Sequence, residues 1–175
     1  TDKKETTITT EDGKTYRLVP NETKGSETGT ITSGVDTQVT YVYEEVYGNV
    51  TVEYYNEAGD KIAPDTKAYI DASTGTDYAT APIEKITAED GTVYYYKAVK
   101  SDSAPESGKV TAGDTFVKYV YEKAGSVTVN YVDKNGKEIK SPVKDVENGK
   151  PGDKYDTTDK KETTITTEDG KTYRL

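Results

Sequence analysis

Period-two alternation dominates the chain. In the stretch VTVEYYN, Val50, Val52 and Tyr54 alternate with Thr51 and Glu53; in VTVNYVD, Val127, Val129 and Tyr131 alternate with Thr128 and Asn130. Alternation of this kind sends one set of side chains to each face of a strand, so the apolar set faces a core. Residues 37–44 and 115–122 read the same way. Val39, Tyr41 and Tyr43 match Val117, Tyr119 and Tyr121 and are expected inside, whereas Phe116 matches Gln38 and belongs on the outer face or an edge. Nowhere do helix formers build an i, i+3, i+4, i+7 stripe.

Turn chemistry punctuates these strands. Asn135-Gly136 is a strong hairpin signal, and residues 56–60 form the corresponding turn in the earlier stretch. Asp90-Gly91 and Asp169-Gly170 supply the positive φ that a tight turn requires. The strand after the first of these places Tyr94 and Tyr96 in the core and Tyr95 outside, because Tyr95 matches Arg174 while its neighbours match Tyr173 and Leu175. Residues 63–82 carry no long helical stripe; a short helical turn fits near residues 77–80. The expected fold is mainly β, α+β at most, in small sheets of about four or five strands.

Repetition fixes the organisation. Residues 1–18 read TDKKETTITTEDGKTYRL, and residues 158–175 read the same eighteen letters, so the pattern recurs after 158 − 1 = 157 positions. A weaker repeat lies within. GNVTVEYYNEAGDKI (48–62) aligns with GSVTVNYVDKNGKEI (125–139), AEDGTVYYYKAV (88–99) with TEDGKTYRL (167–175), and GKVTAGDTFVKYVYEK (108–123) with GTITSGVDTQVTYVYEE (29–45). The period therefore holds two related repeats, A and B, of about 80 residues each. Residues 47–124 are a complete repeat B, residues 1–46 the C-terminal half of a repeat A, and residues 125–175 the N-terminal half of the next. The two halves either complete each other between molecules, head to tail, or stand as partial sheets against repeat B. Links of a few residues between repeats favour an elongated rod over beads on a flexible string.

Composition narrows the chemistry. Cys, His, Met and Trp are absent, which removes thiolate and imidazole nucleophiles, imidazole bases, disulfides and nearly every transition-metal site. With only 31% hydrophobic residues, no stretch is apolar enough for a membrane helix. The net charge of −9 opposes nucleic acid. Low hydrophobicity with net charge leans towards disorder, but 16 Tyr and 29 Thr belong to the β-favouring vocabulary, and Tyr can bury its ring while its hydroxyl stays wet.

The opening VTVNYVDKNGKEI of repeat A (127–139) and the close YRLVP…GTITSG…TQVTYVYEE (16–45) resemble the mucin-binding (MucBP) repeats of Gram-positive cell-wall adhesins, and repeat B carries both in diverged form. The double period is also similar to the streptococcal surface repeats (SSURE type) associated with fibronectin binding. The resemblance implies β-grasp-like units, secretion, and attachment to the cell wall through a signal elsewhere. It also implies adhesion to host mucin or a matrix protein such as fibronectin. A non-binding stalk that projects a distal domain is the alternative. Neither family supplies a catalytic motif.

Residue by residue, no enzyme emerges. Glu44, Glu45, Asp90 and Asp169 read as turn and solvated-face carboxylates rather than a glycosidase pair. DKNGKE (133–138) lacks the alternating ligands of a calcium loop and reads as a turn. No metal, cofactor or catalytic residue is expected. Tyr95, Phe116 and Tyr55 are the candidate partner-binding residues, since outward aromatics stack on sugar rings or anchor a protein partner. The bland reading of the same three is packing against a neighbouring repeat or a sheet edge.

Overall fold

The structure, a computed structural model, describes residues 3–175. Fourteen strands and one short 3₁₀ turn make it up, so the mainly β expectation holds. The first three strands are β1 (Thr7–Thr9), β2 (Thr15–Leu18) and β3 (Tyr43–Glu45). Then follow β4 (Tyr47–Asn56), β5 (Lys61–Ser73), β6 (Asp77–Ala79), β7 (Lys85–Thr87) and β8 (Val93–Val99). The strands β9 (Ser107–Lys109), β10 (Gly113–Lys123), β11 (Gly125–Val132) and β12 (Glu138–Gly149) precede the 3₁₀ turn at Thr158–Lys160. The last hairpin is β13 (Thr164–Thr166) and β14 (Thr172–Arg174).

The sheets have the orders β1-β2-β3, β5-β4-β10-β8-β7, β11-β12, β13-β14 and β6-β9. Single residues, Val46 and Ala124, separate β3 from β4 and β10 from β11. By their contacts the residues fall into two compact units. One comprises Thr1–Tyr54, Pro64–Pro82 and Val99–Tyr119; the other comprises Tyr55–Ala63, Ile83–Ala98 and Val120–Leu175.

In the first compact unit, Val50, Val52 and Tyr54 of β4 are buried with Tyr78, Val110, Val117 and Tyr119, as the alternation predicted for those on β4 and β10. Three tyrosines share this core with four valines, and each of the three hydroxyls has a partner. Tyr54 Oη lies 2.8 Å from Thr66 Oγ1, Tyr78 donates to the Pro105 carbonyl at 2.8 Å, and Tyr119 donates to Glu106 Oε2 at 3.0 Å. A buried phenol without such a bond costs about 1–3 kcal/mol, so these bonds are the condition for a tyrosine core. In the second compact unit Ile62, Ile86, Val93, Tyr94 and Tyr121 are buried. Tyr121 donates to the Ile83 carbonyl at 2.7 Å and meets Tyr96 edge-on, with ring centroids 6.0 Å apart.

Four expectations need correction. Residues 77–80 are not helical: β6 pairs with β9, Tyr78 opposite Gly108, because neither segment is long enough for a helix and both have free backbone groups to satisfy. Glu53, placed outside by alternation, is buried. Tyr96 is half-buried rather than enclosed. The apolar faces expected to be core in residues 37–44 and 125–175 are only partly covered: Val127, Val129, Tyr131, Tyr41 and Tyr43 are half-buried, and Val39 and Leu175 are exposed. Alternation states which face seeks cover; cover itself comes from a neighbouring strand.

An ion cluster closes the loop between β8 and β9. Lys100 and Lys118 both donate to Asp102, at 2.7 and 3.0 Å. The Lys100 bond first, then the Lys118 bond, hold the Asp102 carboxyl down at about 2, against an ordinary 3.8. A depressed folded value gives stability that is complete above the unfolded value and lost as pH falls through the folded one. The stability difference between the wild type and Asp102→Asn is therefore expected to be constant above about pH 4 and to vanish towards about pH 2. Urea titrations at stepped pH check this; a difference independent of pH through that window would contradict it.

Candidate ligand-binding site

The outer face of β10 presents Phe116, 41% exposed. It lines a cavity of about 450 Å³ in the first compact unit. Three strands build this site. β4 contributes Asn49 and Thr51, β5 contributes Asp65, Lys67, Tyr69, Ile70 and Asp71, and β10 contributes Asp114 and Phe116. Alternation explains the selection, since Asn49, Thr51, Asp114 and Phe116 are the out-facing partners of Val50, Val52 and Val117.

Asn49 organises the polar wall. Its Nδ2 donates to Asp114 Oδ1 at 2.9 Å, and its Oδ1 accepts from the Asp71 backbone N–H at 2.8 Å. Asp71 sits at φ 48°, a conformation that Asp tolerates better than most residues and that this amide bond helps to hold. The wall thus offers fixed hydrogen-bonding groups beside the aromatic rings of Phe116 and Tyr69. Three carboxylates against one lysine make it electronegative. Among the described residues no group of acidic side chains is placed to hold a metal ion. The chemistry suits a neutral polyol: ring faces for C–H stacking, carboxylate and amide groups for hydroxyls.

The other two candidates lie elsewhere. Tyr95, on β8, is half-buried; its hydroxyl donates to the Asn148 carbonyl at 2.7 Å and Lys85 Nζ stands 5.7 Å from its ring centre. Tyr55 is half-buried near the end of β4. Both belong to the second compact unit, so Phe116 is the one of the three placed in the cavity described above. Sequence reading missed Asn49, Asp71, Asp114 and Tyr69. A signal existed: Asn49 and Phe116 replace Ser126 and Gln38 of the sister repeat, and both substitutions fall on the same outer face. The turn at 133–137 is as read, with Asp133 Oδ1 accepting from the backbone of Asn135 and Lys137 at 2.8 and 2.9 Å.

The MucBP domain family matches residues 2–44, 49–122 and 126–175. The chain belongs to the MucBP domain family. Relatives agree with it. Muramidase-released protein of Streptococcus suis is 51% identical over 144 residues, covering 79% of this chain and 11% of that protein. Internalin J of Listeria monocytogenes is 30% identical over 154 residues in one strain, covering 83% of this chain and 15% of that protein. In a second strain it is 32% identical over 159 residues, 85% of this chain and 16% of that protein. The MucBP chain thus spans a small fraction of the relatives it matches. It stands among surface proteins of Gram-positive bacteria, and no helix of its described residues is long and apolar enough to cross a membrane.

Proposed function

We propose that these MucBP repeats are the adhesive part of a wall-anchored bacterial surface protein and act by binding host mucin rather than by catalysis. Residues 1–46, 47–124 and 125–175 are half, whole and half repeats, and copies associate head to tail through the split repeat. The Phe116 cavity carries the reading, because it joins exposed aromatic surface to fixed polar groups on one face. Its carboxylates favour uncharged sugars over sialylated or sulfated ones. Tyr95 and Tyr55 supply secondary aromatic surface. Fibronectin is the competing ligand.

Binding of the 175-residue chain to immobilised mucin and to fibronectin tests this. Phe116→Ala is expected to weaken mucin binding about tenfold, the loss of one aromatic anchor, with folding unchanged. Desialylated mucin should bind better than native mucin at low salt, and added salt should narrow the gap by screening the net charge of −9. Saturation on fibronectin alone moves the ligand to a matrix protein. No saturable binding to either favours the second reading, a stalk, which the eighteen identical residues at 1–18 and 158–175 support, since recombination between identical repeats varies a spacer's length.

A further inference from the structure

We infer that the Phe116 cavity selects 2-acetamido sugars, the N-acetylhexosamines, over the parent hexoses, and that Ile70 is the residue that reads the acetyl group. This rests on the carbohydrate reading of the cavity proposed above and deepens it by naming the sugar class.

Every residue lining the cavity falls within residues 47–124, so its walls belong to β4, β5 and β10 of the complete repeat. Of the large apolar side chains that this repeat leaves exposed, Ile70 is the most exposed at 63%, and Phe116 is at 41%. Both line the one cavity. A single exposed isoleucine needs no explanation. Two apolar side chains that share a cavity with fixed polar groups offer a ligand surface to cover.

The sister repeat supports treating the two as a pair. Where Ile70 and Phe116 stand in repeat B, repeat A has Glu147 and Gln38, so both positions turn polar together. Glu147 is exposed, and the repeat that precedes it is the complete one, so a preceding repeat does not cover this position. Register supports the match: Asp71 and Asn148, the residues that follow, both have positive φ, 48° and 53°.

The remaining walls define the chemistry. Tyr69 is turned inward: its hydroxyl accepts from the Ala79 backbone N–H at 3.2 Å, and its ring meets Tyr78 edge-on, with centroids 6.2 Å apart. Phe116 and Ile70 are therefore the open apolar surfaces, one flat and one branched. A flat ring suits the C–H face of a pyranose. A hexose carries only hydroxyls around that ring and has nothing apolar to set against Ile70. An acetamido group does: its methyl covers Ile70, its N–H donates to a carboxylate, and its carbonyl accepts from Lys67. Asp114 already accepts from Asn49 Nδ2, but a carboxylate has acceptor sites to spare for a ligand N–H. Acidic N-acetyl sugars meet Asp65, Asp71 and Asp114 with a charge of the same sign, so the class is the neutral one.

The amide chemical shifts of Asn49, Asp71 and Phe116 in the 175-residue chain report on this cavity. Titration with methyl glycosides of N-acetylglucosamine, glucose, N-acetylgalactosamine and galactose is expected to move them. Each acetamido sugar should bind at least about fourfold tighter than its parent hexose, the yield of burying one methyl group. In Ile70→Thr that ratio should fall to about one; threonine keeps the β-branch that suits a strand while removing most of the apolar surface. Phe116→Ala should instead weaken both members of each pair. Equal affinities within the pairs in the unaltered chain, or a preference that survives Ile70→Thr, overturn the inference and leave the sugar site standing. Tighter binding of cationic glucosamine than of N-acetylglucosamine shows that the carboxylates read charge, and overturns it too. If none of the sugars moves these amides, the carbohydrate reading of the cavity fails together with the inference.

Discussion

Gly48→Ala loses about 3 kcal/mol of folding stability, while Gly125→Ala, the same position one repeat later, is neutral or slightly stabilising. A Cβ built on Gly48 falls well inside van der Waals contact with the Thr111 carbonyl oxygen and comes within 2.7 Å of Val110 Cγ1. The first obstacle is backbone, so no rotamer change relieves it; the strand or the β9–β10 connection must shift. Around Gly125 nothing lies within 4 Å of such an atom. Neither glycine has positive φ, so steric room alone separates the two cases. Urea unfolding midpoints at equal slope measure the difference. Equal losses at both positions would show that the close approach of Thr111 does not govern this site.

What could be read from sequence divides along a physical line. Strands with strict alternation and an apolar face, β4 and β10 above all, were legible because side-chain period and burial coincide there: Val50, Val52, Val117, Tyr119 and Tyr121 lie where the pattern placed them. β5 was not, since Pro64, Asp65 and Lys67 interrupt any pattern and the strand runs thirteen residues with little burial. The β6–β9 ladder joins DYA to SGK, sequences without strand character that pair through backbone groups. Glu53 obeyed alternation in direction but not in exposure. The candidate site followed the same division. Phe116 was legible as an outward aromatic through its match to Gln38, whereas Asn49, Asp71 and Asp114 become one wall only when β4, β5 and β10 place them together.

The matched strands at residues 37–44 and 115–122 sharpen this point. The same letters that bury Val117 and Tyr119 in repeat B leave Val39 and Tyr41 partly in water, because burial is a property of a strand and its neighbours jointly.

Tyr119→Ala costs about 4 kcal/mol, the usual loss for truncating a large aromatic in a packed core. Its ring is fully buried, and its hydroxyl joins β10 to two distant segments: it donates to Glu106 Oε2 at 3.0 Å and lies 2.9 Å from Thr80 Oγ1. Thr80 Oγ1 in turn donates to the Glu106 carbonyl at 2.8 Å, so one phenol completes a three-residue network. Tyr119→Phe isolates that part. It keeps the ring, leaves the half-buried Glu106 carboxylate one donor short, and is expected to cost about 1–2 kcal/mol. Tyr41→Ala, the equivalent change in the half-repeat, should cost clearly less in dilute monomer because its ring is only half covered. Thermal and urea unfolding of the three variants give the ranking Tyr119→Ala, Tyr119→Phe, Tyr41→Ala. If Tyr119→Phe matched the alanine variant, the hydroxyl network rather than ring burial would hold this core; if Tyr41→Ala matched Tyr119→Ala, the half-repeat would already be as closed as repeat B.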